Sequence, residues 1–254
     1  MYRLFAALVA ASAVSGLSIS TQCQGALTSV AANTDANSCL GISALTTAFL
    51  ETNTSFIPQV TNMVNTICSA QPCSNATLSA VVANITNGCS AEISAAGGSS
   101  SDGTATVTSI VEQYYSVARQ MLCLKDNGDS GTNCLVQTLT NLQNTYGTFS
   151  VSGLSTTLAN IEGAKSFPAN ITCTNCLKEA YNLLNESFPA TAGTFESEVN
   201  SVCGSNFTDG SAPSNIVETA ASTKTDNGAK SLDGVFGAGT LGTLIASSFL
   251  AMLA

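Results

Sequence analysis

Ten cysteines, Cys23, Cys39, Cys68, Cys73, Cys89, Cys123, Cys134, Cys173, Cys176 and Cys203, all lie between two charge-poor apolar ends of a 254-residue chain. An even set confined to the middle of an exported chain predicts five disulfides, formed in an oxidising compartment. The spacing leaves the pairing open, with one exclusion. Residues 74–88 read as a helix, so Cys73 and Cys89 would stand about 24 Å apart, too far for a bond. Short bridges across interhelical turns are favoured instead, Cys68 with Cys73 and Cys123 with Cys134.

The two ends read as addresses. Arg3, an apolar stretch from Leu4 to Val14, and small residues at Ala13, Gly16 and Ser20 have the pattern of a secretory signal over residues 1–20. Cleavage after Ala13, Gly16 or Ser20 fits equally well. At the other end, residues 235–254 carry no charge, and no Lys or Arg follows them as a cytoplasmic anchor. Small residues at Asn227, Gly228 and Ala229 precede a short polar spacer, Lys230 to Gly234. This is the pattern of a glycosylphosphatidylinositol (GPI) signal, with Asn227 the favoured attachment residue and Asp226, Gly228 and Ser231 as neighbouring alternatives. Residues 228–254 would then be a discarded propeptide. A spanning helix is the competing reading of the same run.

Between the ends, apolar residues recur at helical spacing. Ile57, Val60, Met63, Val64 and Ile67 form one stripe. Leu78, Val81, Val82 and Ile85 form the next, opened by Ser74 as a cap and closed by Gly88. Asp102 is expected to cap a longer helix whose buried face runs through Val107, Ile110, Val111, Tyr114, Tyr115, Ala118 and Leu122. Further helices are expected around Leu135, Leu139 and Leu142, around Leu154, Leu158 and Ile161, and from Leu177 to Phe188. Phe195, Val199 and Val202 suggest one more, and Leu40, Leu45 and Phe49 another near the N-terminus. No alternation is long enough for a sheet. The expected fold is all-α, a disulfide-braced bundle of short helices and helical hairpins over residues 21–203. Residues 94–103 read as a Gly/Ser-rich loop or hinge, and residues 204–227 as a disordered Ser/Thr-rich stalk.

Composition narrows the chemistry. The chain has no histidine or tryptophan, seven Lys+Arg against sixteen Asp+Glu, and a net charge of -9. Catalytic systems built on His, and His-ligated metals, are therefore excluded. An acidic chain is repelled by a phosphate backbone, so no nucleic-acid partner is expected. Cys173-Thr-Asn-Cys176 has the spacing of a redox or metal half-site, yet its helical flanks and oxidising compartment favour two structural half-cystines. Asp126-Asn-Gly-Asp-Ser-Gly opens like a calcium loop, but Gly128 and Gln137 stand where ligands are needed. Glu196 and Glu198 point to different sides of a helix and form no acid/base pair. No catalytic residue, cofactor or metal site is expected. Asn53, Asn75, Asn84, Asn170, Asn185 and Asn206 each open an Asn-x-Ser/Thr sequon, the expected N-glycosylation sites.

Four segments carry a resemblance: Cys73-Ser-Asn-Ala-Thr-Leu leading to Asn87-Gly-Cys89, Arg119-Gln-Met-Leu-Cys-Leu-Lys-Asp126, Cys173-Thr-Asn-Cys176, and Val202-Cys-Gly-Ser-Asn-Phe-Thr-Asp-Gly210. With the two ends, they resemble an uncharacterised family of fungal, basidiomycete-type secreted, GPI-anchored cell-surface proteins. The resemblance implies localisation at the outer plasma membrane or cell wall and no known activity. The expected role is that of a non-enzymatic, GPI-anchored surface glycoprotein. Its partners would be the membrane, through the anchor, and cell-wall glycan or other surface proteins. The alternative is a secreted helical module that holds a small apolar ligand, such as a lipid or sterol, between its stripes.

Overall fold

The computed structural model describes residues 20–44, 52–95, 103–164 and 167–221. The signal segment up to residue 19, the Asp102 cap, Leu45, Phe49, most of the Gly/Ser-rich loop and Asn227 lie outside the described residues. Within them the chain is mostly helical, as the periodicity predicts.

Local chemistry sets the helix ends. Helices α1 (Thr21–Ala32) and α2 (Thr34–Leu40) meet at Asn33, whose side chain accepts the Ala36 N–H and opens the second helix. Gly41, at φ 60°, closes α2, so the helix expected through Leu40 ends there. α3 (Ile57–Ser69) takes Pro58 in its first turn and buries Ile57, Val60, Val64 and Ile67. Ser74 caps α4 (Asn75–Gly88) by accepting the Thr77 N–H at 3.1 Å, and Leu78 and Val82 lie on its buried face. The short α5 (Ser90–Ala95) follows.

The long α6 (Gly103–Leu122) buries Ile110, Val117, Arg119 and Met121. Of the expected stripe only Ile110 is buried; Val107, Val111, Tyr114, Tyr115, Ala118 and Leu122 are half-buried, and Val117, Arg119 and Met121 are buried instead. α7 (Cys134–Tyr146) starts at Asn133, whose Oδ1 accepts from the Leu135 and Val136 N–H groups. The Asn133 Nδ2 donates to the carbonyls of Leu122 and Leu124, so one buried amide joins the end of α6 to the start of α7. α8 (Leu154–Glu162), α9 (Ala169–Thr172), α10 (Asn175–Ser187) and α11 (Pro189–Cys203) complete the set. Val202, expected on the apolar stripe of α11, is 51% exposed, and Ala192 is the residue this helix buries completely.

The largest core cluster joins Val117, Met121 and Leu124 to Leu177, Tyr181 and Leu184 of α10, with Ala192 and Phe207 beside them. A second gathers Val60, Val64 and Ile67 against Leu135, and a third Ile57, Leu142, Phe149 and Ile171.

Two expectations need correction. A small antiparallel sheet exists, in the order β2–β1–β3, formed by β1 (Leu124–Asp126), β2 (Thr132–Asn133) and β3 (Ile216–Glu218). Strands of two or three residues are too short to leave an alternating signal. Secondly, the segment after Cys203, expected to begin a disordered stalk, is folded as far as Ala221. Phe207 is buried, β3 pairs with β1 in register Lys125↔Val217, and the Ala221 N–H donates to the Cys68 carbonyl at 2.8 Å. A polar segment with few apolar side chains is held here by backbone hydrogen bonds, which composition does not reveal.

At the other end of the domain, α1 packs closely on the last turn of α4. A Cβ added at Gly88 would lie 2.2 Å from the Ala26 Cβ. Gly→Ala within a helix ordinarily stabilises by about 1 kcal/mol. Here Gly88→Ala is expected to destabilise by about 1–3 kcal/mol through overpacking. Denaturant titration checks the sign, and Ala26→Gly in the same chain should recover most of the loss.

Candidate functional site

The cysteines stand at or within a turn of helix ends, where side chains of different helices converge. Five disulfides form: Cys23–Cys89, Cys39–Cys73, Cys68–Cys123, Cys134–Cys176 and Cys173–Cys203. No cysteine is free. The count of five and the exclusion of Cys73 with Cys89 agree with the sequence reading, whereas the two short bridges do not form. Cys68 packs with Val60, Val64 and Cys123, while Cys73 packs with Cys39 and Leu78 and gives its N–H to the Tyr115 hydroxyl. The two ends of that turn thus face different neighbours. Cys123 and Cys134 likewise belong to different core clusters. Each bridge spans 30 to 66 residues and joins helices distant in sequence.

Cys173 and Cys176 enter two different bridges. Neither sulfur is available as a thiolate for exchange or zinc, so this Cys-x-x-Cys is a pair of structural half-cystines. Cys23, Cys89 and Glu92 come within 4.8 Å of one another, but both sulfurs are already bonded.

The Asp126 turn is satisfied internally. The Asp126 Oδ1 accepts from the Gly128 N–H at 2.8 Å and from the Asn215 Nδ2 at 2.6 Å. Its Oδ2, and the Oδ2 of Asp129, accept from the Gln137 Nε2, each at 3.2 Å. Gln137, at the position where a calcium loop needs a carboxylate, here supplies donors. Burial works against the charged Asp126 carboxyl. The bonds from Asn215, Gln137 and the Gly128 and Asp129 amides outweigh it and hold the group below its ordinary range. The turn therefore serves as a clamp for the C-terminal segment through Asn215.

A second clamp centres on Lys178. Its Nζ donates to the Asn206 carbonyl at 2.6 Å, to Asp209 Oδ1 at 2.8 Å and to Ser211 Oγ at 2.8 Å. The Lys178 ammonium, followed by Ser211, depresses the Asp209 carboxyl strongly. Nothing in the sequence singled out Lys178, because its partners are 28 to 33 residues away.

Both depressed carboxyls give the same sign. Their contribution to stability is complete above the unfolded carboxyl value of about 4 and is lost as pH falls through the lower folded values. The melting temperature is therefore expected to drop on acidification from about pH 5 to about pH 2. Scanning calorimetry across that range checks it, and Asp126→Asn should flatten part of the slope.

The six sequon asparagines, Asn53, Asn75, Asn84, Asn170, Asn185 and Asn206, are all exposed. Asparagines outside sequons include structural ones, such as the buried Asn133 and the half-buried Asn215. The sequons differ in their central residue. Thr54, Ala76 and Glu186 are exposed and Ile85 is half-buried, but Ile171 and Phe207 are buried in core clusters. The two sequons with buried centres, at Asn170 and Asn206, flank the Cys173–Cys203 bridge.

Among the described residues no helix is long and apolar enough to cross a membrane. No family model, curated protein or solved structure matches the chain.

Proposed function

We propose that the chain is a non-enzymatic surface glycoprotein, held at the outer leaflet or in the cell wall by a GPI anchor at Asn227. Its role is structural or adhesive, in contact with wall glycan or other surface proteins. The observation that carries this reading is the complete pairing of ten cysteines over long sequence separations, a frame that persists in an oxidising compartment. Six exposed acceptor asparagines support it. The fixed position of Ala221 adds a geometric consequence. The six residues from there to Asn227 reach at most about 20 Å. The domain then sits close to its anchor, in place of the long stalk expected from composition.

Treatment of intact cells with phosphatidylinositol-specific phospholipase C tests this reading. Release of a glycosylated chain ending near Asn227 is the expected result. Retention with residues 235–254 still attached would replace the anchor with a spanning helix.

Glycan occupancy carries a further expectation. A transferase must hold Asn-x-Thr in an open conformation, which a helical turn with a buried central residue prevents. Closure of Cys173–Cys203 should therefore end acceptance at Asn170 and Asn206. Cys173→Ala with Cys203→Ala is expected to raise occupancy at these two sites relative to Asn75 and Asn185. Site-resolved glycopeptide mass spectrometry reads the difference.

A further inference from the structure

Exchange with an external thiol needs a disulfide whose sulfurs can be reached and whose departing sulfur carries negative charge well. The first condition separates the five bridges. Cys173 and Cys203 are both half-buried, whereas the other eight cysteines are at most 8% exposed. The second condition separates the two sulfurs of that bridge. The Thr172 Oγ1 lies 3.5 Å from the Cys173 Sγ and can donate to it; its other acceptor is the Pro168 carbonyl at 3.3 Å. The Cys203 Sγ instead lies 3.5 Å from the Thr172 carbonyl oxygen, which opposes negative charge there. Helix ends add to the difference. Cys173 directly precedes Thr174, the cap of the 13-residue α10, whereas Cys203 is the last residue of the 15-residue α11. A thiolate is favoured at the positive end of a helix dipole and disfavoured at the negative end. The single turn of α9 before Cys173 opposes this only weakly.

We infer that Cys173–Cys203 is a thiol-exchange site, at which an external dithiol attacks Cys203 and expels Cys173. One thiolate of the dithiol bonds to the Cys203 Sγ as the bridge breaks, and the bonding pair leaves on the Cys173 Sγ. The second thiol then displaces Cys203. The dithiol ends as a disulfide, and its two electrons and two protons pass to the cysteines. With the bridge closed, Cys203 is the last cross-linked residue of the chain. Once it opens, that place moves back to Cys176, bonded to Cys134. Most of α10, all of α11 and the segment to Ala221 then hold to the domain by non-covalent contacts alone. Exchange at one bridge thus unlocks everything after Cys176, while the four buried bridges keep the helices before it cross-linked.

The inference goes beyond the surface-glycoprotein reading and is independent of the anchor. The full chain, with all five bridges closed, is treated with dithiothreitol in native buffer and quenched by alkylation, and each cysteine is followed by peptide mass spectrometry. Cys173 and Cys203 should be alkylated about tenfold faster than any of the other eight. Opening of another bridge first, or of all five together, overturns the site. Glutathione, a monothiol, reads the direction of attack. After brief exposure the mixed disulfide should sit on Cys203 with Cys173 alkylated; a mixed disulfide on Cys173 overturns the assigned polarity. Thr172→Val should slow opening about threefold to tenfold, and Thr172→Ser should keep the original rate. Thr172 also completes the Asn170 sequon, so Asn170→Gln is the reference for the valine variant. A rate equal to that reference would overturn the part assigned to the hydroxyl.

Discussion

Replacing Arg119 with methionine is expected to lower the unfolding free energy by about 3 kcal/mol and to release the segment that ends at Ala221. Arg119 is 6% exposed and faces carbonyl oxygens. Its Nη2 donates to Ile67 and Ala70 at the C-terminal end of α3, and its Nη1 donates to Ala221 at 3.0 Å. A cation there complements the negative end of the α3 dipole and satisfies carbonyls that the helix leaves open. Methionine fills much of the volume but donates nothing, so three acceptors lose their partner. Each buried acceptor left without a partner costs about 1–3 kcal/mol, and water regaining access at the edge recovers part of this. Two readouts test the assignment. Denaturant unfolding gives the stability, and amide exchange at Thr219 and Ala221 reports on the segment, whose N–H groups donate to Cys123 and Cys68. Arg119→Lys should rescue little, since a single ammonium cannot span carbonyls from two chain segments as the guanidinium fork does. Unaltered exchange in Arg119→Met would mean that β3 pairing alone holds the C-terminal segment.

Removal of the Cys23–Cys89 bridge, by Cys23→Ala with Cys89→Ala, should cost about 4 kcal/mol from loop-closure entropy. This bridge closes a loop of 66 residues, the longest of the five. The loss should also be local in its first consequence. α1 buries Cys23 and Val30 but leaves Leu27 40% exposed, so its apolar hold on the domain is modest. With the bridge gone, buried Val30, the close approach of Gly88 to Ala26, the Ser20–Glu92 contact and the hydrogen bond from the Gln22 side chain to the Asn87 carbonyl are left to keep it docked. The variant is expected to show early proteolysis within residues 20–40 before global unfolding, while the helices around the Val117–Leu184 core stay protected. Limited proteolysis followed by mass spectrometry of the fragments gives the order. Simultaneous loss of protection throughout would show that α1 belongs to the same cooperative unit as the main core.

How much was legible in the sequence follows the range of the interactions. Ser74 and the stripe from Ile57 to Ile67 mark their helices because capping and 3.6-residue periodicity are local, whereas Gly88, expected to close its helix, is its last helical residue with Cys89 as the cap, and is closely approached by Ala26. Cysteine number and placement predict five bridges, yet the turns at 68–73 and 123–134 mislead, since proximity in sequence does not set which way a side chain faces. The sequon asparagines are also legible, as motifs, but which sequons have a buried central residue is not. That division depends on Ile171 and Phe207 being drawn into cores assembled from other helices. The folded tail from Cys203 to Ala221 was hidden for the same reason. Its anchors are Arg119, Lys178 and Asn215, polar residues whose partners lie tens of residues away. The sequence by itself determined a helical, disulfide-braced domain, because helix formation and cysteine parity are properties of short segments and of counts. The tertiary structure decided which cysteines join, which sequons have a buried central residue and that the chain from Cys203 to Ala221 packs on the helices, because each depends on side chains meeting across the fold.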